Sequence, residues 1–586
     1  VIFVSLTGPG LWLARRTGWD PLEKATATLV LSLLSIGVFS FTVAVLHLHP
    51  LLHPLAALLC AALLFWQAPA GVRALRRRDL RRDLLAFAAL LVWLAALQAV
   101  ARIYSYGDSY NDWLEHWQRA WFFLGNQPTT TLFTGYTLPA RPPLMSAFAA
   151  HVLAVTGGRF AVYQWTSLAV AALAYFPALQ TARLFGAGRR APWILAALLA
   201  FSPLFVYSAT IPWTKMQAAF LTVAALAFYA SGVRRASAAR VARGDPGADG
   251  GRILFAFVCA AAGILLHYSV VATALFLAAH FLLFVLPHRP RPLRDLLTIA
   301  AAAAAILVPW FAWAAFEFGP GAVTGAPVAS TGWTIPGVAA NAAKYALNLY
   351  DTLVPPLFRG MASDPRIDRL DWGALRDTAF AFYTHNLVFA FGSTGALVLL
   401  YCGWRAWRDK AVVRGSDRER PLVGAWFWIG FALFNLLVNL AMHGGREPLG
   451  LAHLTQQPTL LVTLALFAAR FETWPRAVRL VVAAGALFDA FAGILLNAWM
   501  QMYLADVPSD WHGPLGLLAA DLRIGHGDWN LALKEGGHHR FVADLLPSVG
   551  LLAWPLIALL LAAGAGLLCR DQRKRRTSAS RVEAST

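Results

Sequence analysis

The sequence predicts an all-α polytopic membrane protein of about 14 transmembrane helices. Three observations predict it. Of 586 residues, 58% are hydrophobic and 13% charged, with mean hydropathy +0.56, whereas an ordinary soluble domain carries about 25% charged residues. Apolar runs of spanning length recur along the whole chain. The basic residues gather in clusters between those runs instead of being spread over them. A soluble enzyme held by one tethering helix is excluded.

In chain order, Val1 opens an apolar run ending at Arg15 and Arg16. It has no basic leader segment and does not read as a signal peptide, so it is expected to be the second half of a truncated or mis-started first helix. Runs long and apolar enough to span follow at 25–46, 51–69, 84–103, 160–180, 191–211, 214–232, 253–268, 269–287, 296–317, 386–404, 422–441, 455–471, 476–499 and 547–569. Basic clusters lie at Arg73 to Arg82, Arg183 to Arg190, Arg234 to Arg252, Arg289 to Arg294, Arg405 to Arg420, Arg470 to Arg479 and Arg570 to Arg581. The positive-inside rule puts all of them in the cytoplasm.

One path threads the spans through these clusters, provided that the short segment 142–156 does not cross. That segment begins Pro142-Pro143 and ends Gly157-Gly158, and is expected to lie along the outer interface or to re-enter. The net charge of +19 is then topological and needs no nucleic-acid partner. Three non-cytoplasmic loops are long, at 104–159, 318–385 and 500–546. Cys60, Cys259, Cys402 and Cys569 sit within or at the ends of apolar stretches, far from any metal-ligand spacing, so neither zinc nor structural disulfides are expected.

The loop 104–159 carries the most informative residues. Gly107 is followed by Asp108, Asp112, Glu115 and Arg119 at spacings of 4, 3 and 4, which share one face of a helix, while Trp113, Trp117, Ala120, Trp121 and Leu124 share another. An amphipathic helix at the outer membrane surface is expected, its carboxylates turned away from the acyl chains. Such carboxylates can deprotonate a hydroxyl or ligate a divalent cation such as Mg²⁺ or Mn²⁺. They can equally be a solvated polar face with a Glu115–Arg119 i,i+4 pair. Arg141-Pro142-Pro143-Leu144 then offers a guanidinium for a phosphate at the same membrane level.

This pattern resembles the GT-C superfamily of membrane glycosyltransferases, such as dolichyl-phosphate-mannose protein mannosyltransferases and aminoarabinose transferases. The features shared are an acidic residue opening an interfacial helix, a Lys/Arg-Pro-Pro-Leu segment, and a span ending in Arg183-Leu184-Phe185-Gly186. The resemblance covers about residues 84–317 and implies a seven-helix catalytic module there. Residues 1–83 would be additional N-terminal helices, 318–385 an outer loop, 386–569 C-terminal helices with the outer loop 500–546, and 570–586 a basic cytoplasmic tail.

The resemblance implies transfer, with inversion, of a sugar from a polyprenyl-phosphate donor to an acceptor hydroxyl. It places the base at Asp112, which fits the spacing from Pro142-Pro143 better than Asp108, and the donor phosphate at Arg141. Glu115 and His116 would orient the acceptor, assist the base or contribute to a metal site. Many members have a second acidic residue where this chain reads Ile211-Pro212-Trp213-Thr214-Lys215. A charged lysine cannot ligate a metal but can hold a phosphate, or it can snorkel to the interface. His267 and Tyr268, in a polar turn between two spans, are candidate lipid-phosphate contacts.

Outside the module, Arg446 and His453 flank a Gly-Gly segment and could reach an anionic headgroup. Asp489 lies within a span, where a carboxylate marks either function or a buried hydrogen bond. The expected partners are a polyprenyl-phosphate sugar, an acceptor that is a glycan, lipid or protein, and the membrane. Alanine- and arginine-rich composition suggests a bacterial source, hence the inner membrane with the site on the periplasmic side. The competing expectation, a secondary transporter or lipid flippase, predicts ionisable residues inside the spans and helices broken at midplane.

Overall fold

The computed structural model describes residues 1–100, 112–125, 128–133, 136–158, 160–243, 250–330, 338–355, 382–384, 386–413, 422–442 and 452–496. Within them the secondary structure is helical, and no strand is present among the described residues. Helices α1 (Ile2–Ala14), α2 (Pro21–Val45), α3 (Leu52–Trp66), α4 (Ala68–Leu75) and α5 (Arg78–Val100) precede the candidate site. The short helices α6 (Asp112–Phe122) and α7 (Leu144–Thr156) flank the Pro-Pro segment. Then come α8 (Phe160–Ala172), α9 (Tyr175–Leu184), α10 (Ala191–Phe201), α11 (Pro203–Thr210), α12 (Thr214–Arg243), α13 (Gly250–Ile264), α14 (Val270–His280) and α15 (Pro292–Phe318). The remainder is α16 (Pro320–Ser330), α17 (Val338–Leu353), α18 (Leu387–Ala390), α19 (Gly395–Val413), α20 (Ala425–Met442), α21 (Ala452–Arg470) and α22 (Arg476–Ile494).

Among the described residues, five helices are long and apolar enough to cross a bilayer, or seven if each sharply bent pair is one span. The chain is thus a multi-pass α-helical membrane protein. The breaks explain why the expected runs are not all single rods. Pro203 has no N–H to continue α10, and the Ser202 hydroxyl instead accepts from the Phe205 N–H at 3.3 Å, so α10 and α11 meet at 75°. The pair α3 and α4 bends by 54° just before Pro69. The run at 547–569 lies outside the described residues.

Helix α12 is the centre of the packing, its spanning window wholly buried, and α8, α9, α13 and α21 surround it. Charges inside this core are paired, as a low-dielectric interior requires. Glu23 of α2 accepts from Arg252 of α13 at 2.7 Å and from the Ser231 hydroxyl of α12 at 2.6 Å. Asp83 of α5 pairs with Arg183 of α9.

Two further helices bear on the sequence expectations. Helix α7 is enclosed by protein, with Leu144 to Leu153 all buried against α2, α3, α6 and α8. It ends where Gly157 takes φ +88°, a left-handed cap that glycine adopts without steric cost. Asp489 of α22 serves a structural bond. Its carboxylate accepts from the Ser393 N–H at 3.0 and 3.1 Å and from the Tyr383 hydroxyl at 3.4 Å, tying α22 to the start of α19.

Candidate active site

The site forms where α6, the segment 136–144, the start of α12 and the turn 265–269 meet. Helix α6 is held by its aromatic face. Trp117 is buried, its ring 5.7 Å from that of Trp121 and 5.4 Å from that of Tyr163 on α8. On the opposite face, expected to be solvated, two residues are buried as well: Glu115 is 0% and Arg119 1% exposed. The expectation of a solvated carboxylate is therefore corrected at Glu115. The cause is Phe133 and the segment 136–141, which cover Glu115 and Arg119 and supply them with partners.

Arg119 makes that cover. Its Nε and Nη2 donate to Glu115 Oε1 at 3.0 and 2.7 Å, Nη1 donates to the Leu138 carbonyl at 2.5 Å, and Nη2 to the Thr137 carbonyl at 3.1 Å. The guanidinium also lies over the Phe133 ring at 4.9 Å. One planar fork thus joins the helix to the loop that ends in Arg141, a task its fixed donor geometry suits. Sequence reasoning identified the i,i+4 pair but missed this clamp, because the carbonyls are 18 and 19 residues away and have no side-chain signature.

The turn 265–269 holds the same segment from its other side. The Leu144 N–H donates to the Leu265 carbonyl at 2.8 Å and the Tyr268 hydroxyl to the Pro139 carbonyl at 3.0 Å, while Trp310 Nε1 donates to Tyr268 Oη at 3.4 Å. Arg141 is consequently fixed between two anchors. Its Nε is 3.5 Å from Glu115 Oε1, and its guanidinium lies 5.7 Å from the Tyr136 ring centre. Tyr268, expected at the lipid phosphate, has its hydroxyl occupied in positioning Arg141's segment. Glu115 Oε2 is buried and has no hydrogen-bond partner among the described residues.

Two histidines complete the cluster. Ser269 N–H donates to His267 Nδ1 at 3.2 Å, which leaves the proton of the neutral ring on Nε2 as a donor. Burial lowers the pKa of His267 well below its ordinary range, and the positive charges of Lys215 and Arg141 push it the same way. His116 is pushed down to about 3 by burial, with Arg141, Arg119 and Lys215 adding to the effect against the opposing pull of Glu115. Burial alone would raise the Glu115 carboxyl, but Arg141 and Arg119 outweigh it and hold it below the usual range. At neutral pH the site therefore contains an ionised carboxylate, two neutral imidazoles and charged guanidinia.

Lys215 opens α12 beside these groups. It is 8% exposed, with Nζ 3.0 Å from the centre of the Trp213 ring, a cation–π seat and not a snorkelling position. Trp213 is a further member of the site that its sequence position did not single out. The structure thus brings together Glu115, His116, Arg141, Lys215, His267 and Tyr268. Asp112 is the first residue of α6, one turn before Glu115 and His116. Asp108 and Arg446 lie outside the described residues, as does the side chain of His453 on α21. Among the described residues no three His, Cys, Asp or Glu side chains converge as a metal-ligand set.

No protein-family model matches the chain, and no curated relative matches it. Solved structures do resemble it. One is ArnT from Cupriavidus metallidurans bound to undecaprenyl phosphate, at 15% identity and TM-score 0.44, covering 81% of this chain and 75% of that one. Another is the oligosaccharyltransferase AglB from Archaeoglobus fulgidus in complex with an inhibitory peptide and a dolichol-phosphate, at 14% identity and TM-score 0.38, covering 74% of this chain and 58% of that one.

Proposed function

We propose that this protein is an inverting glycosyltransferase that moves a sugar from a polyprenyl-phosphate donor to an acceptor hydroxyl at the outer face of a bacterial inner membrane. One observation carries the proposal: Arg141 and Lys215 converge with the Nε2–H of a neutral His267 around the end of α6 that Asp112 opens. Guanidinium, ammonium and imidazole N–H are the donors that meet the oxygens of the donor's phosphodiester and of the polyprenyl phosphate monoester that leaves. The motifs shared with GT-C enzymes add the lipid carrier and the sense of inversion.

In this mechanism the donor enters from the bilayer with its phosphate against Arg141 and Lys215. The acceptor oxygen attacks the anomeric carbon as the bond from that carbon to the phosphate oxygen breaks. Asp112 takes the hydroxyl proton, and polyprenyl phosphate departs with the bonding electron pair. Phosphate is a good leaving group once its charge is met, so positioning and charge stabilisation supply most of the rate. Glu115 does not serve as the base: its low pKa and its bonds to Arg119 make it a poor proton acceptor. It instead holds the Arg119 guanidinium in place.

The test is release of free polyprenyl phosphate from a panel of polyprenyl-phosphate sugars by the nanodisc-embedded protein, with membrane extract supplying acceptors. Release in the wild type that Asp112→Asn abolishes, with donor binding retained, is the expected result. Energised transport of the lipid without release of its phosphate would replace the proposal with the flippase alternative.

A further inference from the structure

A cavity opens at the end of α12 opposite Lys215. Lys215 and Arg235 are twenty residues apart on this helix, about 30 Å at the α-helical rise, which is roughly the hydrocarbon thickness of a bilayer. The cavity holds about 160 Å³, room for roughly five waters. Its wall includes Asp20, Gln180, Arg183, Ser231, Arg234 and Arg235, and the positive-inside rule assigns these arginines to the cytoplasmic side.

Most of the wall is already engaged within the fold. The Asp20 carboxylate caps α2, accepting from the Leu22 and Glu23 N–H groups at 2.9 and 3.0 Å. Glu23, also on the wall, is taken up by Arg252 and Ser231. Arg183 pairs with Asp83, and Arg234 donates to the carbonyls of Leu184 and Val423. Arg235 is half exposed and 3.9 Å from Asp20.

Gln180 is the exception. It is 4% exposed, and neither its Nε2 nor its Oε1 has a hydrogen-bond partner among the described residues. Buried amides are ordinarily satisfied, so one left open on the wall of a cavity beside three guanidinia indicates a ligand that supplies both an acceptor and a donor.

We propose that this cavity is an anion site for a phosphate group, carried either by an anionic phospholipid headgroup of the leaflet opposite the active site or by a free phosphorylated metabolite. Arg235, with the donors that Arg183 and Arg234 do not spend inside the fold, meets the phosphate oxygens. Gln180 Nε2 donates to the same group and Oε1 accepts from a hydroxyl next to it. Basic pockets between helices at the cytoplasmic level are the usual setting for such headgroups. The site is independent of the transferase proposal.

Native mass spectrometry of the full chain, loaded with phosphatidylglycerol or with phosphatidylcholine, counts the lipids retained. Titration calorimetry with inorganic phosphate and with glycerol 3-phosphate tests the soluble source. The wild type should retain one phosphatidylglycerol more tightly than phosphatidylcholine, or bind one of the soluble phosphates. Arg235→Gln, at a half-exposed position that folding tolerates, should weaken binding about tenfold through loss of one charge-assisted hydrogen bond. Gln180→Leu should remove binding while leaving the ligand-free melting temperature unchanged or higher, because it deletes an unsatisfied buried amide. Lipid retention without calorimetric heat assigns the headgroup, and heat assigns the metabolite. Equal retention of both lipids with no heat, or binding that both variants leave unchanged, overturns the site.

Discussion

Arg119→Lys separates charge from geometry at the centre of the candidate site. Arginine makes four hydrogen bonds here, two to Glu115 Oε1 and one each to the Leu138 and Thr137 carbonyls. A lysine keeps the charge but has one nitrogen, which cannot reach the carboxylate and both carbonyls together. Loss of two bonds to a charged group in a buried site, at about 1.5–3 kcal/mol each, gives a destabilisation of about 3–6 kcal/mol. The loop carrying Arg141 loses its tie to α6, and a displacement of about 1 Å in a group proposed to hold the phosphate costs about a hundredfold in rate, or about 2.7 kcal/mol.

The assay is a melt of the nanodisc-embedded protein followed by titration with polyprenyl phosphate, with Glu115→Gln as the comparison. The glutamine keeps the side-chain shape and leaves Arg119 on its two carbonyls, but removes the negative charge that competes with a phosphate for Arg141. Lipid-phosphate affinity should therefore fall in Arg119→Lys and rise severalfold in Glu115→Gln. A lysine variant with wild-type melting and wild-type affinity would refute the clamp, and weaker phosphate binding in Glu115→Gln would refute the competition.

Three further outcomes follow from the same geometry. Arg141→Lys should weaken polyprenyl-phosphate binding about tenfold and Arg141→Gln about a hundredfold, since the first loses the fork and the second the charge as well, as measured by lipid titration. His116 is held neutral, with a folded pKa of about 3 against 6.5. Above pH 6.5 it contributes nothing to the pH dependence. Below it the unfolded chain takes up a proton that the native state refuses, so stability falls by about 1.4 kcal/mol per pH unit towards the folded value. Melting between about pH 7 and pH 5 should show this slope, and His116→Gln should reduce it. Asp489→Ala should destabilise the protein by about 1–3 kcal/mol through the unsatisfied Ser393 N–H, with turnover per folded molecule unchanged. Lower turnover of the folded variant would restore a functional role to that carboxylate.

Composition and periodicity by themselves determined the membrane class, the positions of most helices among the described residues and the segment that carries the candidate site. These are properties of local apolar length and of charge placement, and bilayer thickness acts on each run separately. The Arg141-Pro142-Pro143 boundary and the helical spacing of Asp112, Glu115 and Arg119 were legible for the same reason. Local pattern could not tell which face of α6 would be solvated, because a charged stripe reads the same whether water or another loop covers it. Tertiary structure decided that Glu115 is buried and held by guanidinia, that Arg119 clamps a loop 18 residues away, that Tyr268 steadies Arg141, and that Lys215 rests on Trp213. Those contacts join segments distant in sequence through backbone carbonyls and ring faces, groups that every residue or every aromatic offers, so only the folded chain selects among them.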